Sequence, residues 1–233
     1  MEDWIHLAMG PLFRVALAVF VLGLGYQFAV ALAYVVTAWH RAGDRDVAWR
    51  VAAQATLSWV FPRRLLKARP VYSAASFLFH VGIILIPLTY AGHVVLMGTW
   101  VPSFWPRLGL LGADILTGVT LAGLAVILVG RIATHSSRAL SRLGDYLILV
   151  LLLLTVALGY LAAHPGLIPL GARGMLLAHV LLADALLIIS PVSKIAHCVL
   201  FPLTQVVFQL GWHFPAASGR QVGLALGKEG EPV

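Results

Sequence analysis

Residues 71–101 read VYSAASFLFHVGIILIPLTYAGHVVLMGTWV, 31 positions without a single Asp, Glu, Lys or Arg. A helix needs about 20 predominantly apolar residues to cross a ~30 Å hydrocarbon layer, so this run is long enough to span one. Four similar runs flank it: 15–38, 108–130 with only Asp114, 146–163, and 174–193 with only Asp184. The composition agrees, with 61% hydrophobic and 11% charged residues, against roughly 25% charged in a soluble domain. A soluble protein is excluded. The expected fold is an all-α integral membrane protein, a bundle of five transmembrane helices.

The segments between the runs set the topology. Pro102 and Pro106 punctuate one connection, and Pro165, Gly166, Pro169 and Gly171 another, residues that end helices and start turns. Both connections are short, which predicts antiparallel neighbours. The net charge of +7 sits between the spans, where it serves topology, and no nucleic-acid partner is expected. Arg41, Arg45, Arg50, Arg63, Arg64, Lys67 and Arg69 separate the first two spans. Arg131, Arg138 and Arg142 follow the third, and Lys194, Arg220 and Lys228 follow the fifth. Only Arg14, Arg107 and Arg173 lie on the opposite side. Because positive residues accumulate inside, the N-terminus is expected outside and the C-terminus in the cytoplasm, in a multi-pass protein of the inner, cytoplasmic membrane. The first run is too long for a signal-peptide core and is expected to be retained.

Around residues 45–68, Trp49, Leu57, Trp59 and Phe61 alternate with basic groups. That composition suits an amphipathic segment on the cytoplasmic interface. Residues 195–212, interrupted by Pro202, read as a helix end followed by an interfacial segment. The bundle therefore occupies 1–212, and 213–233 form a cytoplasmic tail open to a partner.

Chemistry is expected from histidine. There are nine, and His80, His93, His179 and His197 fall within or at the edges of spans two and five, where polar side chains are costly and usually functional. His179 and His197 are 18 residues apart, five whole turns and about 27 Å on one helix face. His80 and His93 are 13 apart, about 20 Å, with an ideal offset near 140° that a bend at Pro87 would have to absorb. Antiparallel spans pair His80 with His197 on the cytoplasmic side and His93 with His179 on the outer side. Two such pairs supply the axial ligands of two b-type haems, or one if the weaker outer pair does not form. Taken singly, each histidine reads as readily as a helix-to-helix hydrogen-bond donor. Zinc would need its ligands to converge on one point, which ~20 Å separations forbid. A histidine-lined transporter or proton path without haem stays open as the alternative. No C-x-x-C-H occurs, and the lone Cys198 excludes a cysteine-ligated cluster held by this chain alone.

These residues also carry a resemblance. Phe79-His80-Val81-Gly82-Ile83 leading to Gly92-His93 resembles the F-H-x-G-I…G-H pattern of the membrane cytochrome b subunit of respiratory nitrate reductase, the gamma subunit family. His179 through Ser190-Pro191-Val192-Ser193-Lys194 to His197 is similar to that family's fifth-helix ending, and Arg138 through Ser141, Asp145 and Tyr146 to Gly159 to its fourth helix. The 13-residue separation on span two is longer than in the nitrate reductase subunit itself. It points to the wider branch, which includes sulfite-reduction-associated and heterodisulfide-reductase-like complexes.

The resemblance implies an electron-transfer subunit of a quinol- or quinone-linked oxidoreductase complex. Electrons would pass between menaquinone or ubiquinone in the membrane and an iron-sulfur partner subunit on the cytoplasmic side. Arg63, Arg64, Arg138 and Arg142 are at hand for inner haem propionates. Proton exchange with the quinone needs a titratable group, for which Asp114, Tyr160, His164 and Tyr90 are the outer candidates.

Overall fold

The computed structural model describes residues 1–42, 48–60, 63–167, 171–211 and 218–230. Those residues are helical nearly throughout and contain no strand. Five helices are long and apolar enough to cross a membrane: α1 (Glu2–Arg41), α4 (Pro70–Thr89), α6 (Leu110–Ala133), α8 (Leu143–Ala163) and α9 (Ala172–Ile189, prolonged by a 3-10 turn to Val192). Shorter helices are α2 (Trp49–Val60), α3 (Arg63–Ala68), α5 (Ala91–Met97), α7 (His135–Leu140), α10 (His197–Gly211) and α11 (Ser218–Ala225). This is a multi-pass membrane protein, as the apolar runs require.

Two helices depart from the continuous rods the sequence predicts. Pro87 has no N–H to donate into α4, and the helix ends three residues on, where Tyr90 turns out with ψ 128°. The carbonyls exposed at that end are taken up locally. Tyr90 N–H donates to Ile86 O at 3.0 Å, Trp105 Nε1–H to Leu88 O at 2.7 Å, and Leu108 N–H to Thr89 O at 2.7 Å. His93 therefore sits on the separate helix α5, and the expected 140° offset from His80 along one rod no longer applies. At the other site, α9 ends at Ile189. Turns at Ser190–Val192 and Lys194–Ala196, with Ser193 extended between them, carry the chain to His197, the first residue of α10. The five-turn phase linking His179 to His197 on one face is thus corrected: Pro191 and Ser193 interrupt the helix.

The chain divides into two compact units. The first comprises residues 1–16 and 64–186. Its centre is α6, packed against α4 and α8 around Phe79, Leu124, Ile127, Leu149 and Val156. A Cβ added at Gly82 on α4 would run into Thr120 Oγ1 on α6. Such small-residue contacts let membrane helices approach closely.

The second unit comprises residues 17–63 and 187–233. Here α2 packs on α10, with Trp59 stacked on Phe201 at a ring separation of 4.2 Å. The expected interfacial segment is thus helical over Trp49–Ala68 where described, while residues 45–47 lie outside the described residues. Gln27 Nε2–H donates to Pro191 O at 3.3 Å, tying α1 to the turn that follows α9. The tail is described from Ser218 and carries the short helix α11.

Candidate functional site

The first unit brings His93 and His179 together from α5 and α9. Their ring centroids are 5.9 Å apart with planes inclined by 24°. Each ring is held by a backbone carbonyl through Nδ1, His93 on Ile86 O at 3.1 Å and His179 on Thr155 O at 2.8 Å. A carbonyl only accepts, so the hydrogen is on Nδ1 and the Nε2 lone pair is left for a ligand.

The local sequence explains both bonds. The chain turns at Tyr90, which lets the His93 ring fold back on a carbonyl seven residues earlier. Thr155 and Gly159 are one turn apart on α8, and an added Cβ at Gly159 would lie 2.8 Å from His179 Cε1 and 2.9 Å from Nδ1. The missing side chain opens the Thr155 carbonyl to the ring. Tyr90 meets His93 edge to face at 5.3 Å.

The two rings are stacked, and among the described residues no group of three or more His, Cys, Asp or Glu side chains gathers as a metal site would.

His80 and His197 belong to different units. His80 Nδ1–H donates to Ser76 O at 2.7 Å, and its ring packs on Phe79 with centroids 4.0 Å apart. His197 Nδ1–H donates to Lys194 O at 2.5 Å. Its ring meets Trp59 edge-on at 5.5 Å, in a cleft of about 590 Å³ also lined by Lys194, Leu200, Phe201 and Thr204. All four histidines thus share one tautomeric arrangement, with Nδ1 on a backbone carbonyl. The aromatic wall of the His197 cleft was not legible in the sequence, where Trp59 read only as an interfacial residue.

Three of the four proton-exchange candidates meet at the end of α8. His164 follows Ala163 as the cap of that helix, its Nδ1 on Tyr160 O at 2.9 Å and its ring stacked on Tyr160 at 4.3 Å. Its Nε2 lies 3.2 Å from Asp114 Oδ2, near the start of α6. The fourth candidate, Tyr90, goes with His93 instead.

The arginines fare differently. Arg138 donates through Nη1 to Ile132 O and Ala133 O, closing the end of α6. Arg142 begins α8, its backbone N–H donating to Asp145 Oδ2 at 2.9 Å. Arg63 is exposed at the start of α3, and the side chain of Arg64 lies outside the described residues. Arg131 lies 3.8 Å from the buried Asp145 and donates to Ser141 Oγ at 2.9 Å. Asp184 is only 2% exposed, and neither carboxylate oxygen has a hydrogen-bond partner among the described residues.

A protein of Nitratidesulfovibrio vulgaris (strain Hildenborough) is 34% identical to this chain over 171 residues, covering 72% of this chain and 73% of that one. The two belong to one family. A match of that length includes α4 through α8 wherever it begins, so the Nitratidesulfovibrio relative aligns with the segment holding His80, His93, Asp114 and His164. No family model matches the chain, and no solved structure matches it.

Proposed function

We propose that this protein is a b-type cytochrome subunit of the inner membrane, exchanging electrons between the quinone pool and an iron-sulfur partner on its cytoplasmic side. The wider branch of the nitrate reductase gamma-like family is the class it fits. One observation carries the reading: two histidines from separate helices face each other at 5.9 Å, each ring locked by its Nδ1 on a carbonyl. The shared Nδ1–H tautomer leaves Nε2 of each ring as the nitrogen that would bind haem iron.

The donor set fits haem on further grounds. Gly159 leaves room where a side chain would displace the ligand. His197 lies in an aromatic cleft with Lys194, a cation for a carboxylate substituent. When bound, haem supplies one-electron carriers that accept electrons from a quinol one at a time. His93 and His179 would hold the group through Nε2, and His80 in the first unit and His197 in the second remain as further candidate ligands. Asp114 and Asp184 favour the rival reading, a proton path without haem, because intramembrane carboxyls commonly mark such paths.

A reduced-minus-oxidised spectrum of the purified protein decides between them. An α-band of the b type, with two haems per chain, is expected. A spectrum without that band would sink the cytochrome reading. His179→Ala should remove one haem and leave the other.

A further inference from the structure

We propose that Asp114 and His164 form a proton-exchange pair for a quinone headgroup, with His164 as the residue that meets the substrate and Asp114 positioning it. This rests on the cytochrome reading above.

His164 Nδ1 faces Tyr160 O at 2.9 Å, and Nε2 faces Asp114 Oδ2 at 3.2 Å. Both facing atoms are oxygens, and the carbonyl can only accept. Nδ1 therefore carries a hydrogen, which leaves Nε2 as the nitrogen that can take a proton, with the Asp114 carboxyl group beside it. A basic nitrogen with a carboxyl group at its side is what proton exchange needs.

Position supplies the second element. His164 lies five residues beyond Gly159, about 7.5 Å further along α8, and Gly159 is where His179 touches that helix. The Asp114 and His164 side chains are 27% and 24% exposed, so the pair reaches both the helix bundle and its surroundings. A redox centre and a proton-exchange group thus lie within a short stretch of one helix. Tyr160, stacked on His164 at 4.3 Å, adds a flat aromatic surface against which a planar ring can lie.

The reaction balances with one named co-reactant, ferric b-type haem. Oxidation of a hydroquinone breaks two O–H bonds and releases two electrons and two protons. Haem, when bound, would supply the one-electron acceptor. Each proton in turn moves from a quinol oxygen to the Nε2 lone pair of His164 and on to water, and Asp114 balances the charge gained by the ring. Quinone reduction runs the same steps backwards.

The test uses the haem-loaded protein in lipid nanodiscs, with menadiol as the quinol. His164→Gln should slow haem reduction by menadiol at least ten-fold. Asp114→Asn should lower the maximal rate without raising the menadiol concentration for half-maximal rate, and Asp114→Glu should restore it. Reduction by dithionite, which asks for no proton acceptor, and the haem-to-protein ratio should stay at wild-type values in all three variants. Wild-type menadiol rates in His164→Gln would overturn the proposal, as would loss of haem or an equal slowing with dithionite, since either assigns the pair a structural role. A wild type without a b-type spectrum, or one that menadiol cannot reduce, brings down the underlying reading instead.

Discussion

Adding one methyl group at Gly159 tests the centre of the outer histidine pair. In Gly159→Ala the new Cβ would lie 2.8 Å from His179 Cε1 and 2.9 Å from Nδ1. Relaxed contacts between such atoms are about 3.5 Å, so the ring must retreat by roughly 0.6 Å. It cannot do so and keep its 2.8 Å bond to Thr155 O, which approaches from the same helix. Losing that bond costs about 1 kcal/mol, and overpacking a filled site typically adds about 1–3 kcal/mol. Together some 2–4 kcal/mol should be lost from the ligand geometry, a fall of roughly 30- to 700-fold in affinity for whatever the two rings grip.

The assay is haem stoichiometry on purified protein, paired with thermal unfolding of the same sample. Gly118→Ala is the control, because an added Cβ there meets nothing within 4 Å. The control should keep the wild-type haem content and, as a helix-interior Gly→Ala change, be no less stable. Gly159→Ala with full haem content and unchanged unfolding would refute the close fit between α8 and His179.

Asp145→Ala removes the buried partner of Arg131 and the acceptor for the N–H of Arg142, the N-cap of α8, and should cost about 2 kcal/mol in thermal unfolding. Asp184→Leu replaces a buried carboxyl whose oxygens have no partner among the described residues; the detergent-solubilised protein should gain about 1–3 kcal/mol, and a loss would show that the carboxyl is satisfied in the membrane. A phosphatase reporter fused after Val233 should be inactive and a fluorescent one bright, as a cytoplasmic C-terminus requires; the reverse pattern would invert the topology read from the arginines.

The spans were legible because lipid tolerates only long apolar helices with their backbone bonds closed, and 71–101 or 146–163 satisfy little else. Where those helices break was only half legible. Pro87 and Pro191 announced a disturbance, yet the turn falls at Tyr90 because Trp105 and Leu108 return to cap the exposed carbonyls. That return depends on a loop whose path no periodicity records. His93 and His179 come within 5.9 Å in the first unit because the helix is not continuous.

Asp114 and His164 could have been matched in advance. They lie near the start of α6 and at the end of α8, and consecutive antiparallel helices bring such ends level. Trp59 beside His197 gave no comparable signal, since 138 residues separate them and only tertiary packing joins α2 to α10.

The break at Tyr90 bears on biogenesis. Helix α4 is 20 residues long and can be threaded into a bilayer by itself. His93 travels on a seven-residue arm held by the backbone bridge to Leu108 and its own grip on Ile86 O. Insertion of the span and placement of His93 are thus borne by separate pieces of chain.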